Sequence, residues 1–401
     1  MSLLLVEPED FDKQLYGGGG AAIVGQIVQS FGENLAIVGM TSGKYPIGKW
    51  TRAEIYGRKC MFLPVMNRVR IEKTIFISRN FRFALALFKF RKMIKEMGVK
   101  SVFSQTWAVL WFFAFCPGKW DICYYYPGLH NSIRYGTHRI LGKILAYPYA
   151  LINAIAVRKA NIVLAAASKD AIIAHQKHLH KLGTNIEITP LPTATNIDVF
   201  RPMPKLAMRK KLGFPPDVPI YVFVGRLAEQ KNISFILEAF RIVRSSRANA
   251  LLLLVGDGEE RQSLIRQTVQ KGITDSVRFL GMHRPEEVAE FIACADAGLF
   301  SSFVEGFSVA MIEQVACGRP IVSTDVSGVR ELIIDGKNGF ILTDRNVNTY
   351  AQRMLDVLKL SGAEEFSREL AVKEFSMESL SGRLRRLWSP FATQTPEIKS
   401  V

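Results

Sequence analysis

At 401 residues the chain is long enough for two or three domains, each able to bury a core, and its 48% hydrophobic and 22% charged content is ordinary for a folded protein. Five scattered cysteines (Cys60, Cys116, Cys123, Cys294, Cys317), odd in number and without Cys-x-x-Cys spacing, point to a reducing compartment and away from a metal site. The net charge of +16 is lopsided: residues 1–195 carry 25 Lys and Arg against 11 Asp and Glu, and residues 196–401 carry 27 against 25.

In chain order, Met1-Ser-Leu-Leu-Leu-Val6 meets Glu7, Glu9 and Asp10 at once, so it reads as a first strand rather than a signal peptide. Asp10-Phe-Asp12 has the form of a metal-binding Asp-x-Asp, but lies in an acidic loop before the wrong sheet and reads as incidental. The run Tyr16-Gly-Gly-Gly-Gly-Ala21, with Gly18 and Gly19 at its centre, leads into a helix over 21–31 and permits positive φ and close approach of a phosphate. Without a clean G-x-G-x-x-G and a later acidic residue, it does not read as a dinucleotide fingerprint. Strands are predicted at 34–39, 60–65, 101–104, 121–125, 162–166 and 186–191, with helices at 81–97, 136–159 and 168–178. The helix from Phe81 mixes bulky apolar groups with Arg82, Arg91, Lys92 and Lys95, which suits either a solvated basic face or attraction to anionic lipid. Nucleic acid is the other acidic partner such a charge could meet, but no nucleic-acid module is recognisable. The apolar stretches 107–115 and 144–157 fall short of the ~20 residues a bilayer needs and read as buried helices rather than insertion devices, with their Trp and Tyr able to meet a membrane interface as the alternative. Of six histidines, His130, in the loop Tyr125-Tyr-Pro-Gly-Leu-His130, is the functional candidate.

Three prolines in Thr189–Pro202 mark a hinge. Beyond it, short apolar runs close on glycine or polar residues: Val222-Phe-Val-Gly-Arg226, Leu251 to Gly258, Val277 to Gly281, Ala297 to Ser301, Pro320 to Asp325 and Asn338 to Leu342. Strands alternating with helices imply a parallel sheet whose ligands gather at the carboxyl ends of its strands. Arg226, Lys231 and Glu305 all fall at such ends. The segment Phe307 to Cys317 reads as a helix closed by Gly318. Its first turn would offer free N–H groups to an anion, with Gly306 allowing close approach. Glu305 and Glu313 would accept hydrogen bonds from hydroxyl groups. A ligand with both a diphosphate and many hydroxyls is a nucleotide-sugar.

The ordered set Gly225-Arg-Leu with Lys231, Gly256-Asp-Gly258, Glu305-x7-Glu313, Asp325-Val-Ser-Gly-Val-Arg-Glu331 and Asp335-Gly-Lys-Asn-Gly339 resembles the donor domain of family 4 retaining glycosyltransferases, the glycosyl transferases group 1. In the first half the likeness rests on strand–helix alternation and the glycine loop. The resemblance implies an α/β chain of GT-B fold, two Rossmann-like parallel-sheet domains facing a central cleft. The domains would be an acceptor-binding domain at 1–193, a donor domain at 194–372, and a helix and tail at 373–401 returning toward the first domain.

It implies further that Arg226 and Lys231 neutralise the departing diphosphate, and that Gly225, Gly306, Phe307, Ser308 and Val309 line the donor. Glu313 would hold the ribose, Glu305 a sugar hydroxyl, and His130 would lie near the transferred sugar. No metal or other cofactor is expected. The donor would be a UDP- or GDP-sugar, and the acceptor a lipid-linked saccharide of bacterial surface polysaccharide assembly. The protein would then sit peripherally on the cytoplasmic face of an anionic membrane. A nucleotide-sugar epimerase, a phosphorylase, and a non-catalytic lipid- or nucleic-acid-binding protein remain as alternatives on the same fold. For a phosphorylase, no lysine site for pyridoxal phosphate is identifiable.

Overall fold

The computed structural model describes residues 3–13, 19–68, 78–129 and 139–392. His130 and Gly18 lie outside them. Contacts divide the chain into two units, 1–192 together with 381–401, and 193–380. The C-terminal segment is therefore shared at Leu380, and from Ser381 it belongs with the first unit. In the helix Met377–Ala392, the Ser381 hydroxyl meets that of Ser30 at 2.6 Å and the Arg385 guanidinium donates to the Ser30 carbonyl at 3.0 Å.

The first unit holds β1 (Leu3–Asp10), β2 (Leu35–Thr41), β3 (Thr51–Ile55), β4 (Arg58–Asn67), β5 (Ser101–Ser104), β6 (Asp121–Tyr126), β7 (Ile162–Ala165) and β8 (Ile188–Pro190). They form one sheet ordered β3-β4-β2-β1-β5-β6-β7-β8, parallel except for β3. Sequence reasoning missed β3. Its alternation, Thr-Arg-Ala-Glu-Ile, is weakly apolar, and the hairpin turns on Tyr56 (φ +50°) and Gly57 (φ +70°) instead of an Asn-Gly pair.

The second unit holds β9 (Ile220–Val224), β10 (Leu251–Val255), β11 (Val277–Gly281), β12 (Ala297–Phe300), β13 (Ile321–Thr324) and β14 (Gly339–Leu342). All six are parallel, in the order β11-β10-β9-β12-β13-β14. Near-continuous Val, Ile and Leu runs suit strands covered on both faces. Core side chains such as Phe223, Leu252, Leu299 and Val322 are wholly buried. Strand order reverses between β9 and β12, so a crevice opens there at the carboxyl ends of the strands, where ligands of such sheets bind. Each cysteine is a buried free thiol, and burial pushes Cys60, Cys294 and Cys317 up to about 12.

Candidate active site

The β9/β12 crevice is built by two loops laced together. After β9 the chain passes Gly225 and runs close beneath the loop that follows β10. A side chain on Gly256 (φ +129°) would strike the Gly225 carbonyl at 2.0 Å, so backbone packing demands glycine there. The chain continues through a single turn, Glu229–Lys231, into the helix Ile233–Ser246. From β12, the Ser301 hydroxyl donates to the carbonyls of Lys231 and Asn232, both at 2.9 Å. The Phe303 amide donates to Gln230, and the Gln230 side chain to Val304 at 2.7 Å. Arg345, just beyond β14, donates to the carbonyls of Ser301 and Ser302 at 3.0 and 2.9 Å and lies over the Phe303 ring at 4.8 Å. Sequence reasoning missed Arg345 because its partners lie more than forty positions earlier.

This lacing brings Lys231 Nζ to Glu305 Oε1 at 2.5 Å, with the Ser302 hydroxyl donating to the same oxygen at 2.6 Å. Glu305 is buried and Lys231 largely so. Two residues separated by 74 positions, both singled out from sequence, thus meet at the switch point. Arg226 lies on the same loop as Lys231 but is exposed, its Nε 3.0 Å from Glu259.

The helix starts at Val309, two residues later than expected, and runs to Ala316. Phe307 explains the delay. Its ring is buried, 5.7 Å from that of Phe375, and Gly328 lies against it so closely that a side chain there would clash at 2.6 Å. The Phe307 ring is therefore a core group. Among the described residues, no hydrogen bond engages the amides of Gly306, Phe307 or Ser308 ahead of the helix. Gly306 and Val309 are partly exposed, Ser308 is buried, and helix closure falls on Gly318 (φ +77°) as expected. One turn further, Glu313 is partly exposed, and its carboxyl takes no hydrogen bond from a described residue. Desolvation pushes it up to about 8. An open helix start, a buried carboxylate–ammonium pair and an unengaged carboxyl together offer donors for an anion and acceptors for hydroxyls.

Several other motif residues are held by bonds within the fold. Arg330 donates to Asp325 at 2.6 Å, Asp335 takes the Ile341 amide at 2.9 Å, and wholly buried Asn338 donates to the Leu332 carbonyl and Ser367. In the first unit, Asp12 Oδ2 accepts from the Thr41 hydroxyl and the amides of Ser42, Gly43 and Lys44, while Asp10 takes the Ser42 hydroxyl. That pair of aspartates clamps a loop. Gly19 opens the helix Gly19–Phe31.

Residues 204–372 match the sequence model of glycosyl transferases group 1. That part of the chain is similar to this family. D-inositol 3-phosphate glycosyltransferase of Thermobispora bispora is 29% identical over 180 residues, 43% of this chain and 42% of that protein. Lipopolysaccharide core biosynthesis glycosyltransferase LpsE of Rhizobium meliloti is 29% identical over 177 residues, 43% and 50% of the two chains. The chain spans about half the length of the curated relatives it matches. Among solved structures, Anabaena HepE in complex with UDP and glucose superposes with a TM-score of 0.72 at 17% identity, covering 97% of this chain and 99% of that one. At that identity the likeness concerns the fold, and the fold is GT-B across both units.

Proposed function

We propose that this chain is a retaining hexosyltransferase that takes a sugar from a UDP- or GDP-sugar without a metal ion. The Lys231–Glu305 pair at the switch point, beside an open helix start, is the observation that carries this reading. Lys231 and Arg226 stabilise the diphosphate as it departs, each well-placed donor contributing roughly 3–4 kcal/mol. Glu313 accepts from the ribose, and Glu305 from a sugar hydroxyl. The bond between the anomeric carbon and the β-phosphate oxygen breaks, the acceptor oxygen bonds to that carbon on the same face, and the acceptor's proton passes to the leaving diphosphate. UDP and glucose in HepE support the donor class, and the family assignment supports transfer.

The acceptor is a lipid-linked saccharide of surface polysaccharide assembly, met at the cytoplasmic face of a membrane. The relationship to LpsE and the basic first half support this. No helix among the described residues is long and apolar enough to cross a membrane, so the attachment proposed is peripheral.

Incubation with UDP-glucose, UDP-galactose, UDP-N-acetylglucosamine and GDP-mannose, in excess EDTA, tests the reading. One donor should release nucleoside diphosphate with the anomeric configuration kept. Inversion, release of an epimerised free sugar, or turnover that only added divalent metal restores would overturn it.

A further inference from the structure

Three helices cover one face of the first sheet, Arg79–Glu96, Trp107–Phe115 and Arg139–Val157, and the middle one packs against both others. Phe88 meets Phe112 edge-on at 4.9 Å, and Tyr149 packs on Trp107 and Trp111 at 5.6 Å. Their inner sides bury Phe83, Leu87, Phe113 and Ala154 in the core. Their outer sides are apolar too. On the first helix Phe81, Leu85 and Phe88, spaced four and three apart, form an exposed stripe opposite the core. On the third, Tyr147, Leu151 and Ile155 repeat every four residues, with Ile152 beside them and Tyr147 69% exposed. Phe115 stands exposed at the end of the middle helix, with the Lys159 ammonium 5.0 Å above its ring. Half of the large apolar side chains left exposed among the described residues fall on these three helices. The sequence reading favoured a buried helix at 144–157 with a membrane interface as the alternative; from Tyr147 onward one side of that helix is bare.

The charge around the patch says what covers it. Arg91, Lys92 and Lys95 are exposed on the first helix, and Arg158 and Lys159 follow the third. Glu96 is the only acidic residue the three helices contain. A second copy docked face to face by a two-fold would set this patch against itself, crowding basic groups together with Glu96 as the one acidic partner. A bilayer with anionic headgroups answers both features, because it offers negative charge at the surface and hydrocarbon beneath. We propose that this three-helix face is a membrane-docking surface, with Leu85, Phe88, Tyr147, Leu151 and Ile155 inserting among the acyl chains of an anionic bilayer. The proposal deepens the membrane reading above and rests on it, adding insertion to electrostatic attraction.

The full chain is mixed with phosphatidylglycerol–phosphatidylcholine vesicles over a salt series and sedimented. The wild type should bind and keep part of its binding at high salt, because hydrocarbon contact is not screened. The variant Leu85→Ser/Phe88→Ser/Tyr147→Ser/Leu151→Ser/Ile155→Ser keeps every charge and changes only exposed positions, so the fold should persist by circular dichroism. Its partition should weaken at least about tenfold and vanish at high salt. Binding by this folded variant equal to the wild type would overturn insertion and leave simple electrostatic attachment standing. No vesicle binding by the wild type would overturn both. A wild-type dimer that the variant abolishes would assign the face to a second copy and overturn the proposal. None of these results touches nucleotide-sugar turnover, which is measured without vesicles.

Discussion

Around the reversal the two sheets share a strand order, β4-β2-β1-β5-β6-β7 in one and β11-β10-β9-β12-β13-β14 in the other, and they differ in what they place there. In the second unit the β9/β12 crevice holds Lys231, Glu305 and an open helix start. The equivalent crevice of the first unit, between β1 and β5, also holds a buried carboxylate, Glu7. That carboxylate is sealed by its neighbours. It accepts from the Ser104 hydroxyl at 2.8 Å, the Gln105 amide at 2.5 Å and the Thr106 hydroxyl at 2.7 Å. Desolvation nevertheless raises it to about 7. Topology therefore supplies a crevice twice, and the side chains decide which becomes a candidate site. A carboxylate paired with an ammonium beside an open helix start is a candidate for ligand contact, whereas one satisfied by two hydroxyls and an amide serves the fold.

The largest expected effect separates the two crevices directly. Lys231→Ala should lower kcat by ~10²–10³-fold, as for a lost donor to developing negative charge. Thr106→Ala, the matched change in the first crevice, should leave kcat near that of the wild type. Steady-state kinetics on both variants decides it, and comparable losses would mean that the first crevice also takes part in the reaction.

Glu7 sharpens the comparison through pH. Its folded value, about 7, lies above the ordinary 4.5. Between those values the folded chain keeps a proton that the unfolded chain has lost, so stability falls as pH rises across the window and then levels off. The difference corresponds to at most about 3 kcal/mol. Glu7→Gln should therefore gain stability over the wild type at pH 8 and little at pH 4.5. Urea unfolding at both values tests this, and a mutant–wild-type difference independent of pH would place the charge of Glu7 in a polar setting.

Glu313 is the second unit's counterpart, a desolvated carboxyl at about 8 that no described residue satisfies. If it accepts from two ribose hydroxyls, only its ionised form serves fully. Nucleotide affinity should then rise with pH through about 8. Glu313→Ala should cost on the order of 1–3 kcal/mol in affinity and flatten that dependence. Calorimetry showing wild-type affinity in the folded mutant would remove Glu313 from the site.

Much of the second unit was legible because its buried strands are short apolar runs closed by glycine or polar residues, each a strong local signal. The Lys231–Glu305 meeting was legible only as two residues at strand ends; its geometry depends on the Ser301 and Arg345 lacing, which pairs distant segments. The later helix start escaped because Phe307 packs on Phe375 and Gly328, a tertiary contact that overrides local periodicity. The bare side between Tyr147 and Val157 was legible only as an alternative, for a related reason. A helix apolar all round does not reveal which of its faces the fold covers.

The smallest effect concerns Arg226, and it tests whether the difference between the crevices extends to their rims. Arg226 is tied to Glu259 at 3.0 Å while both side chains are more than half exposed. Such a pair contributes less than about 1 kcal/mol, and salt screens it further. A diphosphate entering the crevice would compete with Glu259 for the guanidinium. Glu259→Gln should free Arg226 and tighten nucleoside diphosphate binding by no more than about fivefold, with the gain fading as salt rises. Arg226→Ala should weaken binding and abolish the gain when the two changes are combined. A gain from Glu259→Gln that persists in the Arg226→Ala background would show that Glu259 repels the diphosphate directly, and that Arg226 stays outside the site.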